Sequence, residues 1–97
     1  MSKKKKKDAY SRTEFIKVDS ETDVFALADK LMYRIPLILN FEGFDNVESN
    51  RMIIFLSGVT YAIDGEVEVI RDKIFVFATK PDLKDKSLRK FINEYKE

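Results

Sequence analysis

Phe55-Leu56-Ser57-Gly58-Val59-Thr60-Tyr61-Ala62-Ile63-Asp64-Gly65 runs without a gap into a two-strand pattern over residues 66–79. The run has the composition of a helix that stops in a tight turn and feeds a hairpin. Asp64-Gly65 ends it, as expected of residue types that tolerate positive φ just past a helix. Glu66-Val67-Glu68-Val69-Ile70 alternates as a half-exposed strand does, and residues 73–79 are apolar on both faces. The tip, Arg71-Asp72, lacks the glycine that primed two-residue turns prefer, which predicts a longer or bulged loop. Gly58 inside the helix costs about 1 kcal/mol relative to alanine, so it predicts close approach by a neighbouring element.

The rest of the chain fits around this unit. Residues 13–18 have strand composition. Ser20-Glu21-Thr22-Asp23 resembles a capping box. Val24, Leu27, Ala28 and Leu31 then share one face of a helix of about four turns, which Pro36 ends by pushing its predecessor out of the helical region. Leu37, Ile38, Leu39 and Phe41 form a short apolar run, as in a central strand covered on both faces. Asp45 with Glu48 marks a second cap, opening the long helix that continues to about Ile63. After Lys80-Pro81 breaks the last strand, Leu88, Phe91, Ile92 and Tyr95 recur at helical spacing, interleaved with Lys84, Lys86, Arg89 and Lys90.

The order β-α-β-α-β-β plus a C-terminal amphipathic helix predicts an α/β (α+β) two-layer sandwich: a four-stranded sheet with two covering helices. Three regions result: a basic, disordered tail at 1–12, a core domain at 13–82 and the terminal helix at 83–97. One sheet face is apolar without an obvious cover, because Ile38 points away from Leu37 and Leu39, and Ile74 and Val76 away from Phe75 and Phe77. Either the C-terminal helix or a second copy covers it; a homodimer through that surface is the favoured expectation.

Composition removes most chemistry. With neither cysteine nor histidine among 97 residues, thiolate and imidazole metal sites, Ser-His triads and Cys-His dyads are impossible. Glu66 and Glu68 share a solvated strand face, and the glycines are too scattered to cradle phosphate. No enzyme, cofactor or metal is expected. The longest apolar runs fall far short of the roughly 20 residues of a membrane span, and a cytoplasmic protein is expected. Lys3, Lys4, Lys5, Lys6 and Lys7 form a basic run; without them 13 basic residues face 17 acidic ones, a net charge of −4. Such a body does not bind nucleic acid, and Phe75 and Phe77 lack the signature of an RNA-stacking platform. The lysines read first as a solvated tail. They are also a weak candidate for an anionic membrane surface, at about 1 kcal/mol per residue and sensitive to salt.

The segments Pro36-Leu37-Ile38-Leu39-Asn40-Phe41, residues 51–65 with their Phe-Leu-Ser-Gly-x-Thr-Tyr-Ala-Ile-x-Gly pattern, and Lys73-Ile74-Phe75-Val76-Phe77 together resemble the SepF family of cell-division proteins. The resemblance covers roughly residues 13–82. It implies a cytoplasmic, non-enzymatic adaptor at the division site, a homodimer that in some members assembles into a higher polymer. Its partner is implied to be the C-terminal peptide of the tubulin-like division protein FtsZ. The family's peptide site uses the last hairpin and an aromatic on its final strand, which corresponds to Phe75, with Val69, Arg71, Lys73 and Phe77 as the further candidates. Gly58, Asp64 and Gly65 are implied to be packing and turn residues. The family's usual amphipathic membrane-binding start is not matched by the lysine run, so anchoring is expected to be electrostatic, supplied by a partner or absent, with the partly basic C-terminal helix a second candidate whose expected role is packing on its own domain. The alternative is a self-assembling structural protein without FtsZ binding.

Overall fold

The computed structural model describes residues 7–96 of the chain, so Lys3, Lys4, Lys5 and Lys6 lie outside the described residues. Four strands form one mixed sheet: β1 (Glu14–Lys17), β2 (Leu37–Asn40), β3 (Gly65–Arg71) and β4 (Ile74–Thr79), in the order β1-β2-β4-β3. β1 and β2 are parallel, as a helical crossover between them requires, and β4 runs antiparallel to both β2 and β3. The continuous apolar run thus sits in the middle of the sheet, with Leu37, Ile38 and Leu39 all buried.

Helices α2 (Val24–Met32) and α3 (Asn46–Ala62) cover one face. Leu27, Ala28, Leu31, Met52 and Leu56 meet Leu37, Leu39 and Phe77 there. α3 starts as its sequence predicts, the Asp45 carboxylate accepting the Glu48 backbone N–H at 2.9 Å. α2 does not. Its cap is Asp23, which accepts from the Phe25 N–H, while Thr22 is tied into a turn with Asp19 and Ser20 caps nothing. α2 is also shorter than four turns: it spans 9 residues, and Arg34 at φ 62° reverses the chain before Pro36 is reached.

The other face is covered from within the chain. Ile38, Ile70, Ile74, Val76 and Ala78 pack against Leu88 and Ile92 of α5 (Lys86–Tyr95). Leu83 of α4 (Lys80–Lys84) and Ala9 of α1 (Ala9–Arg12) join the same cluster. This corrects the expectation of a dimer through that surface: the apolar stripe of α5 fills it. Ala9–Arg12, read from sequence as part of a tail, is helical because Asp8 caps it and Ala9 is wholly buried. Pro81 starts a helix rather than merely ending a strand, since a proline in the first turn has no N–H to lose.

Two glycine readings change. Gly65 is not where the chain reverses; Asp64 carries the positive φ of 60°. Gly65 instead begins β3 at a close approach, where a Cβ would lie 2.8 Å from Thr60 Cγ2 and on top of the Ala78 carbonyl. Gly58 was expected to permit such an approach, and does not within this chain. It is exposed on α3, and a Cβ there would meet nothing within 4 Å.

Candidate partner-binding site

The β3–β4 hairpin distributes the sequence candidates over both faces of the sheet. Val69 pairs with Phe75, and cross-strand partners share a face, here the α3 side. A register irregularity between Val69 and Arg71 realises the expected bulge. It turns Arg71 to the opposite side, where its Nε donates to the Tyr95 carbonyl at 2.7 Å and its guanidinium lies 4.3 Å from the Tyr95 ring centroid. Arg71 therefore stands on α5, not beside Phe75. Phe77 is also removed from any surface. It pairs with Leu37 and Val67 in mid-sheet and is 0% exposed.

Phe75, Val69 and Lys73 remain together. Phe75 is half-buried, edge-on to Phe41 at 5.9 Å and tilted against Phe77 at 6.4 Å. Val69 is 52% exposed. Lys73 occupies the tip at φ 66°, and its carbonyl accepts the Phe41 N–H at 2.7 Å, tying the tip to the end of β2. Phe75 and Lys73 line a cavity of about 320 Å³ together with Phe41, Ile53, Asp72 and three polar residues of α3: Asn46, Ser49 and Asn50. Sequence reasoning missed that polar wall. The signal was present: the three fall at i, i+3 and i+4 immediately after the Asp45 cap, and so share one helix face.

The profile of the family described as "Cell division protein SepF" matches residues 14–80. The chain belongs to the SepF family. Among similar proteins named "Cell division protein SepF", that of Rubrobacter xylanophilus is 31% identical over 70 residues, covering 72% of this chain and 38% of its own. That of Ruminiclostridium cellulolyticum is 35% identical over 75 residues, covering 72% and 48%. That of Heliobacterium modesticaldum reaches 45% over 53 residues, covering 55% and 32%. The matched stretch is thus between about a third and a half of these SepF relatives' length.

The SepF match takes in the whole sheet, α2, α3 and every residue of the cavity, and leaves α5 outside it. α5 is nevertheless fastened to the SepF hairpin. Arg89 forks onto Glu68, and Lys96 Nζ joins the same carboxylate at 3.0 Å. The Arg89 hydrogen bonds hold the Glu68 carboxyl below its usual range, with burial opposing and Lys96 assisting, and Glu68 in turn raises Arg89. A second cavity, about 380 Å³, opens between α5 and the β1 end of the sheet, lined by Phe15, Lys17, Ile38, Phe91 and Tyr95 among others.

One further surface bears on assembly. The outer side of α2 and α3 exposes Phe25 (67%) and Ile54 (73%), with Phe25 edge-on to Phe55 at 5.5 Å and Gly58 one turn away from Phe55 and Ile54. Among the described residues no helix is long and apolar enough to cross a membrane.

Proposed function

We propose that this chain is a cell-division adaptor that binds the C-terminal peptide of FtsZ through the Phe75 side of its hairpin. The observation that carries this is the half-buried Phe75 ring, flanked by half-exposed Val69 and by Lys73, at the edge of a cavity with one apolar and one polar wall. An extended peptide needs that combination: apolar surface for alternate side chains and hydrogen-bonding groups for its main chain. The family resemblance implies Phe75, and Phe75 is one of the two aromatics that line the cavity. Val69 and Lys73 stay with the site; Arg71 and Phe77 leave it. Calorimetric titration of the FtsZ C-terminal peptide tests the reading, and no binding at high micromolar peptide would contradict it.

Homodimerisation belongs to the same proposal, relocated. The α2–α3 face supports it, through exposed Phe25, Ile54 and Phe55 and the bare backbone at Gly58. Two peptide sites per dimer would raise avidity for a filament that displays many peptides. The same face favours the second reading, a self-assembling structural protein without FtsZ binding. The titration separates the two. Contact with anionic lipid through the lysines that end at Lys7 remains part of the first reading, tested by liposome co-sedimentation at low and high salt.

A further inference from the structure

Ser49 is buried, 6% exposed, and its hydroxyl has no hydrogen-bond partner among the described residues. Its own N–H is satisfied by the Asp45 carbonyl at 2.8 Å, so only the side chain is left over. Buried hydroxyls are nearly always paired, and an orphan in a native fold calls for an explanation. Other buried hydroxyls of this chain obey the rule: Thr60 donates to the Leu56 carbonyl at 2.7 Å and Thr13 to the Ala9 carbonyl at 2.7 Å. Ser49 also has a carbonyl four residues back, that of Asp45, yet its hydroxyl does not bond to it, and the residue lines the cavity beside Phe75.

We infer that Ser49 is the main-chain anchor of the peptide site: its hydroxyl is held for an amide of the bound peptide. The inference rests on the FtsZ-peptide reading above and deepens it. Three observations converge. Asn46 and Asn50 stand on the same helix face at the same cavity, giving a neutral row of donors and acceptors that Ile53 continues, with Phe41 and Phe75 contributed from the sheet side. The charged residues at the wall, Asp72 and Lys73, cancel, and neither has an ion-pair partner among the described residues. A neutral cavity with one apolar and one hydrogen-bonding wall fits an uncharged group: an apolar side chain with its adjoining peptide bond. The Ser49 oxygen is shielded in the free protein, and rotation of χ1 between staggered wells turns it to the cavity when the peptide arrives.

Ser49→Ala gives this role an unusual signature. A serine that served the fold would destabilise the protein when removed. An unpaired buried hydroxyl costs the folded state, so its removal leaves stability unchanged or raised. We expect the urea midpoint of Ser49→Ala to equal or exceed that of the wild type, while affinity for the FtsZ C-terminal peptide falls about threefold to tenfold, the worth of one neutral hydrogen bond. A scan of peptides with single amide-to-ester replacements locates the bond: one position loses affinity on the wild type, and that loss shrinks on Ser49→Ala. Equal affinity of the two proteins, or ester effects identical on both, overturns the anchor and leaves the peptide reading standing. No binding by the wild type overturns the peptide reading, and the anchor falls with it.

Discussion

The guanidinium of Arg89 forks onto the carboxylate of Glu68, Nη1 and Nη2 each 3.0 Å from one oxygen. This pair joins α5 to β3, and so joins the helix outside the SepF match to the strand that carries Val69. Its two parallel bonds fix orientation as well as distance. Together with Arg71 on Tyr95, it holds α5 over the sheet face that the sequence left uncovered.

The pair makes stability depend on pH in a calculable direction. The Glu68 carboxyl is lowered from 4.5, chiefly by the Arg89 bonds. A group depressed in the folded state contributes stability that is present above its unfolded value and is lost as pH falls through its folded value. Glu68→Gln should therefore unfold at lower urea than the wild type at pH 7, by about 1 kcal/mol for a partly exposed pair. The gap should close as pH falls below 4.5 and through the lowered folded value. A gap that does not change with pH would remove the charge from the explanation.

The two glycines are predicted to respond oppositely. Gly65→Ala drives a Cβ into the Ala78 carbonyl and to 2.8 Å from Thr60 Cγ2, where backbone must shift. It should cost about 1–3 kcal/mol or more, the scale of overpacking. Gly58→Ala meets nothing within 4 Å. It should stabilise the monomer by about 0.5–1 kcal/mol, the helix-propensity difference. Thermal or urea unfolding reads both.

Arg71→Ala should loosen α5 and spare the peptide site. The lost contact with the Tyr95 ring is worth about 0.5–1 kcal/mol, added to the bond to the Tyr95 carbonyl. Peptide affinity should stay at the wild-type value in calorimetry. A tenfold loss would return Arg71 to the site.

Self-association should respond to charge on α3. Ile54→Lys places an ammonium where the side chain is 73% exposed, so the fold should shift by no more than about 0.5 kcal/mol. Light scattering should show a larger monomer fraction than the wild type. An unchanged oligomer would move the interface away from the α2–α3 face.

The order of the four strands, α2, α3 and α5 was legible because each carried its own period; the short α1 and α4 carried none. The apolar run at 37–39 read as a central strand, and residues 46–62 as a helix with its Asp45 cap. What escaped depended on three-dimensional neighbours. Whether α5 or a second copy covered Ile38, Ile74 and Val76 is decided by how the chain turns through α4 and Asp85 into α5, which no periodicity encodes. Arg71 and Val69 are two apart and read as one face; a single bulge separated them. Gly58 and Gly65 look alike in sequence, yet only Gly65 has backbone against it. Of the candidate cavity, Phe75 was singled out in the sequence through the family resemblance. The polar wall of Asn46, Ser49 and Asn50 was not, because three small polar residues after a cap look like any helix start.

The most direct test of the central claim is calorimetric titration of the FtsZ C-terminal peptide into the wild type and into Phe75→Ala, with circular dichroism confirming that the variant keeps its fold. The account predicts saturable binding to the wild type and none to Phe75→Ala. Equal affinity for the folded variant would contradict it.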